Sequence, residues 1–261
     1  MAGVAVLGET FSFVRRNLLF FCLVVAMSCA IIVFSEYSGR TGGGSTQSFI
    51  ALYLGYYVQS GILNGTGRGS PFNQGKMVGF GGYIWKNVLI LVAAMGIGIG
   101  VPLALVGASF SREGLMFLCG ALVAIAYPLL LALVGTWPTS GIVGSVSGLA
   151  DAFGRGRRGV VPTFLRLFAG LVLPFIVTLV LITAAASVSS EVDTVFQDGQ
   201  INLIALVLLV VSQCLGIFGI CYASIVLARK FQISEASRFS KGEGHQGDAI
   251  LATNEISDIF R

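Results

Sequence analysis

Charge is what this sequence has least of. Only 11% of its 261 residues are Asp, Glu, Lys or Arg, against about 25% in an ordinary soluble domain. So few charges cannot cover the surface of a water-soluble globule, and the mean hydropathy of +0.88 makes lipid the solvent for most of the chain. Histidine is nearly absent too. His245, in the polar C-terminal stretch, stands alone, so a metal site built from several histidines is excluded and a Ser-His triad is not expected. Cys22, Cys29, Cys119, Cys214 and Cys221 all lie in apolar runs, odd in number and with no C-x-x-C pair. A disulfide framework or zinc site is therefore not expected, and the cysteines read as small packing residues.

What the sequence has instead is long apolar runs. A helix crosses about 30 Å of hydrocarbon with about 20 mostly apolar residues. Five runs qualify readily: 17–35, 87–108, 115–137, 167–188 and 201–228. A sixth, 46–64, is interrupted by Gln47, Gln59 and Asn64. If all six cross and the N-terminus is cytoplasmic, 14 of the 16 Lys and Arg residues fall on the cytoplasmic side, leaving Arg40 and Arg112 outside. Removing the run 46–64 would send the arginine-rich stretch at 151–166 to the side opposite Arg15 and Arg16. The positive-inside bias would collapse, so the sequence predicts six spans with both termini cytoplasmic. The loop before the last span carries Glu191, Asp193 and Asp198, and acids weigh little in orientation.

The chain opens with Val4, Leu7, Phe11, Val14 and Leu18 at helical spacing, with Glu9, Arg15 and Arg16 elsewhere. This predicts an amphipathic helix over 1–16 lying in the interface, and the opening does not read as a cleavable signal peptide. A local echo follows halfway along. ETFSFVRRN (9–17) aligns with DAFGRGRRG (151–159), matching Glu9 with Asp151 and Arg15–Arg16 with Arg157–Arg158, and each precedes an apolar span. Arg15, Arg16, Arg155, Arg157, Arg158 and Arg166 are therefore the expected topology and lipid head-group residues.

No Asp, Glu, Lys, Arg or His falls inside any of the six runs, with Lys86 and Arg166 at their ends. Ionisable groups in mid-membrane mark proton relays and ion paths, so proton-coupled transport is disfavoured. The 35 glycines include small-xxx-small spacings, Gly61/Gly65/Gly69, Gly96/Gly100 and Gly144/Gly148, expected to seat close helix contacts. Pro102, Pro128 and Pro174 fall within spans as expected bends. Glycine-rich GTGRGS (65–70) lacks the Walker lysine, GIGIG (96–100) follows no strand, and GSVSG (144–148) has no serine at its centre. None makes a nucleotide or hydrolase motif, and no cofactor is expected.

Three stretches carry a family resemblance: LGETFSFVRRNLLFF at the start, GILNGTGRGSPFNQGK after the second span, and GTWPTSGIVGSVSGLADAFGRGRRGVVPTFLRLF around the basic stretch. The chain resembles bacterial six-helix membrane proteins of the YciC type, related to the membrane domain of glycerophosphodiester phosphodiesterases. The resemblance implies the fold and no activity, since catalysis in fused relatives belongs to a separate soluble domain.

The expectation is an all-α polytopic bundle, with a six-span membrane domain over 1–230 and a cytoplasmic tail over 231–261. The tail's closing Ala252, Ile256, Ile259 and Phe260 could form the apolar stripe of a short docking helix. The expected function is a non-enzymatic accessory or scaffold subunit of a bacterial cytoplasmic membrane. Its partners would be anionic lipids and other membrane subunits or further copies of itself, with no nucleic acid. The alternative is a channel or transporter for a small neutral or lipid-like substrate, with Gln59 and Gln213 as polar contacts.

Overall fold

The structure, a computed structural model, describes residues 2–39, 43–65, 77–106, 111–145, 147–187, 194–197 and 200–242. The chain is all-α apart from one short hairpin. Helices α1 (Ala2–Arg16), α2 (Leu18–Tyr37) and α3 (Gly43–Leu63) precede the hairpin-like pair α4 (Phe80–Val106) and α5 (Arg112–Val134). Short helices α6 (Thr136–Ile142) and α7 (Leu149–Arg157) lead into α8 (Val160–Ala186). Strands β1 (Phe196–Gln197) and β2 (Gln200–Ile201) pair antiparallel before α9 (Leu203–Gly242).

Among the described residues five helices are long and apolar enough to cross a membrane: α2, α4, α5, α8 and α9. Their number and composition fit a multi-pass membrane protein. Only 17% of the apolar stretch of α8 is buried within the chain. Its Leu173, Phe175 and Val180 face outward, as an apolar helix surface does in lipid. The interrupted run at 46–64 also forms a helix, α3, but is not among those five. Its polar residues are tolerated because neighbours cover its second half from Leu54 to Ile62.

The bundle is organised around α9. From Cys221 to Ala228 every residue of that helix is buried, with α1, α2, α3, α6 and α8 packed round it. At 40 residues and 1.5 Å per residue, α9 is about 60 Å long, roughly twice the hydrocarbon thickness. It continues unbroken past residue 230, where the sequence suggests the tail begins.

Within the described residues, Gly65, Gly96, Gly100, Gly144 and Gly148 do not seat close helix contacts. Gly96 and Gly100 have nothing within 4 Å of a side-chain position, and neither do Gly65 and Gly144, which instead occupy turns at φ +66° and +69°. Gly148 would meet only Asp151, at 3.9 Å, and Gly61 is buried. On α4 it is the intervening Gly98 that faces α5, where a Cβ would strike Val123. Gly156 of α7 lies on the Leu133 carbonyl of α5, and Gly219 of α9 on the Gly170 carbonyl of α8. Spacing of four identifies a stripe along a helix, but several stripes share one helix and only one meets the neighbour.

Helix α1 shows the same shift of face. Leu7 and Phe11 of the expected stripe are 42% and 63% exposed, while Val6, Thr10 and Phe13 are buried. Asn17 then joins α1 to α2. Its side-chain amide donates to the Phe13 carbonyl at 2.8 Å, and its side-chain oxygen accepts from Tyr57 at 3.3 Å.

Candidate functional site

The most elaborate polar arrangement lies at the end of the bundle where α7 gives way to α8. Three helical faces converge on a cleft of about 640 Å³. Helix α7 supplies Asp151, Gly154 and Arg155, one turn apart, and Arg158 follows at its end. The first turns of α8 supply Pro162, Thr163 and Arg166. Helix α9 supplies Val226, Arg229, Lys230, Ile233, Ser234 and Ser237, which share one face at spacings of three and four. Val6 of α1 lies at its edge.

Local sequence explains how these faces meet. Asp151 caps α7, accepting from the Gly148 amide at 3.1 Å, and its carboxylate suits the positive end of that helix. Gly159 sits at φ +69°, a left-handed conformation that favours glycine, and this turn redirects the chain from α7 into α8. The missing side chain at Gly156 lets α7 settle against α5.

Three of the five cations in the cleft are held by protein groups. Arg155 is the most constrained, with a side chain 3% exposed. Its Nε donates to Thr136 at 3.3 Å, one terminal nitrogen to Glu235 at 3.2 Å, and the other to Ser147 at 2.9 Å. The guanidinium also lies 5.4 Å from the centre of the Phe231 ring, within cation–π range. Arg229 reaches the other way, its Nε standing 3.1 and 3.2 Å from the two Glu9 oxygens of α1. The Lys230 ammonium donates to the Ala132 carbonyl at 2.9 Å and the Gly156 carbonyl at 3.1 Å. Helix α9 is thus pinned to α1, α5 and α7 by three consecutive polar links.

The remaining two, Arg158 and Arg166, make no ion pair or hydrogen bond with another described residue. Arg158 is exposed and Arg166 half-buried. Counting Asp151 with the pairing Glu9 and Glu235, five cations face three acids, a local excess of two positive charges. A concave wall of one sign concentrates anions at its mouth.

The structure separates the arginines that the sequence treats as one group. Arg158 and Arg166 line the cleft with guanidinium groups unpaired among the described residues. Arg155 also lines it but is turned inward, its donors taken by Glu235, Thr136 and Ser147, so it does not present itself at the surface as expected. Arg157 is exposed outside the cleft, and Arg15 and Arg16 are exposed at the end of α1. Sequence reasoning treats Arg229 and Lys230 only as cytoplasmic charge and overlooks Glu235. The available signal was their spacing: 229, 230, 233, 234 and 237 form a polar-leaning face on an otherwise apolar helix.

The two glutamines part company. Gln59 is 2% exposed; its amide nitrogen donates to the Tyr83 hydroxyl at 3.2 Å and its oxygen accepts from Thr139 at 2.9 Å. It cross-braces α3, α4 and α6. Gln213 lines a separate cleft of about 320 Å³ among α2, α3 and α9, together with Ser28, Gln47 and Ser212. Lys86 caps a different seam, donating to the Trp137 carbonyl at 3.2 Å. Arg40, Arg68, Lys76, Gly69, Glu191, Asp193, Asp198, His245 and the proposed tail helix lie outside the described residues. No family model, curated protein or solved structure matches the chain.

Proposed function

We propose that this chain is a non-catalytic, six-span component of a bacterial cytoplasmic membrane, an accessory or scaffold protein that holds anionic lipid at its cytoplasmic face. The observation carrying this reading is the cleft with an excess of two positive charges at the end of α7, α8 and α9. It lies at the same end of the bundle as Arg15 and Arg16, where positive-inside bias places the cytoplasm. The sixth span is α3, whose Gln59 and Ser60 are covered by protein rather than lipid. Helix α1 lies in the interface with Leu7 and Phe11 outward and its opposite face on the bundle. The outward apolar surfaces of α4 and α8 are available to lipid and to partner helices. Kinship with the six-helix family named above is part of the same proposal.

Native mass spectrometry of the protein released from a mixed membrane tests the lipid reading. Anionic lipids are expected to be retained over zwitterionic ones, and equal retention would overturn the reading. Reporter fusions test the topology: a C-terminal reporter facing the outside would remove the sixth span. The transporter alternative draws on the smaller cleft at Gln213. Its other expected contact, Gln59, is already engaged by Tyr83 and Thr139.

A further inference from the structure

We propose that the cleft between α7, α8 and α9 is selective for a phosphate monoester carried on a lipid, an inference that rests on the anionic-lipid reading and specifies its ligand. The first argument is charge. Five cations against three acids leave an excess of two. A phosphodiester head group carries a single negative charge and leaves part of that excess uncompensated. A monoester carries about −1.5 to −2 at neutral pH and three strong acceptor oxygens.

The second argument is the division of labour among the cations. Arg155, Arg229 and Lys230 form a wall whose donors are largely committed to protein partners, so they supply field without moving. Arg158 and Arg166 have guanidinium groups that pair with no other described residue, and this side chain is the best suited to forked contact with phosphate oxygens. They flank the first turn of α8, the positive end of a helix of 27 residues, with Gly159, Pro162 and Thr163 forming that wall. The helix end adds to the arginine pair without being needed to define it.

The third argument concerns what the phosphate is attached to. The volume of about 640 Å³ falls within the roughly 300–1,000 Å³ typical of small-molecule sites. Between its cations the cleft is lined by Pro162 of α8 and by Val226 and Ile233 of α9, with Ile233 41% exposed, and further along α8 the apolar Leu165 and Leu173 are 58% and 57% exposed. An apolar lining within a cationic recess, continued by the apolar surface of α8, matches a phosphate head group whose acyl chains run down that helix, and a soluble phosphate would make no use of it.

The test compares delipidated full-length protein in phosphatidylcholine nanodiscs doped with equal mole fractions of phosphatidic acid or phosphatidylglycerol, with soluble glycerol 3-phosphate as a third arm. Phosphatidic acid is expected to bind about tenfold tighter than phosphatidylglycerol, the equivalent of one further charge-assisted contact. The double change Arg158→Ala with Arg166→Ala should erase that ratio, and Arg158→Lys with Arg166→Lys should restore part of it. Changing Arg15 and Arg16 to Ala should lower both affinities and leave the ratio intact. Equal binding of the two anionic lipids, both above phosphatidylcholine, would overturn this inference and leave the broader reading standing. Loss of all anionic preference would overturn the broader reading as well. Glycerol 3-phosphate binding as tightly as the lipid would overturn the lipid assignment. The wild-type comparison stands even where a variant fails to fold.

Discussion

Arg155 of α7 and Glu235 of α9 meet at 3.2 Å although 80 positions separate them in sequence. The pair closes the base of the basic cleft. It does so from opposite exposures, with the arginine side chain 3% and the glutamate 26% accessible. A cation buried that deeply is tolerable only because Thr136, Ser147, Glu235 and the Phe231 ring share it.

Arg155→Ala is therefore expected to destabilise the protein by about 2–4 kcal/mol, since it strands several partners at once. Glu235→Gln should be milder, at about 1–2 kcal/mol, because it keeps an acceptor and that residue is partly solvated. Thermal unfolding in detergent measures both. An unchanged midpoint for Arg155→Ala would mean that the inward geometry contributes nothing.

Glycine substitutions separate the contacts that exist from those expected of the sequence pattern. Gly156→Ala and Gly219→Ala drive a methyl group into a backbone carbonyl, which cannot rotate away, and overpacking of this kind costs about 1–3 kcal/mol. Gly96→Ala and Gly100→Ala meet open space and should be neutral or stabilising by up to about 1 kcal/mol through helix propensity. Expression level and melting midpoint across the four variants check the contrast. A larger loss for Gly96→Ala than for Gly156→Ala would contradict it.

Gln59→Leu removes the link between Tyr83 and Thr139 while keeping side-chain bulk. A buried hydroxyl left without a partner costs about 1–3 kcal/mol, so a lower melting midpoint is expected. In that variant Thr139 keeps its bond to the Gly135 carbonyl at 3.0 Å, so the loss falls on the Tyr83 hydroxyl, whereas Thr139→Val removes both bonds of Thr139 and leaves the Gln59 oxygen without that donor, a loss in the same range. A double-mutant cycle on Gln59 and Thr139 should show coupling, and strict additivity would argue that the bond is incidental.

Orientation of α8 and α9 should depend on Arg157 and Arg158, the two exposed arginines at the end of α7. Each cation near an anionic surface is worth about 1 kcal/mol. Replacing both with Ala should raise the fraction of misoriented C-terminal reporter, and replacing Arg155 alone should change stability without changing orientation. A reporter that responds to Arg155 but ignores the exposed pair would reverse these assignments.

Much of this architecture can be read directly from hydropathy. The runs at 17–35, 87–108, 115–137, 167–188 and 201–228 each coincide with a long helix, because apolar length is a local property. The interrupted run at 46–64 is harder, since Gln59 and Ser60 are acceptable only where neighbours bury them. In GIGIG, Gly96, Gly98 and Gly100 look alike in sequence, and only the position of α5 distinguishes Gly98. The cleft illustrates the larger limit. Arg158 and Arg166 announce themselves as basic, but Glu9, Arg229 and Glu235 join them through tertiary contacts that no periodicity encodes. Arg155 looks like its neighbours Arg157 and Arg158, and one helical step turns it inward.

Helix α9 follows every other described element in chain order, yet its segment from Cys221 to Ala228 is enclosed on all sides. A chain synthesised from its N-terminus therefore completes α1, α2, α3, α6 and α8 before the helix that they share exists. The faces of those helices that meet α9 stay uncovered until it arrives, while α5 can already pack against α4, α7 and α8. Closure of the centre is thereby the last step, and a chain halted near residue 203 would keep the packing of α5 on α4 and α8 while lacking the core that α9 supplies.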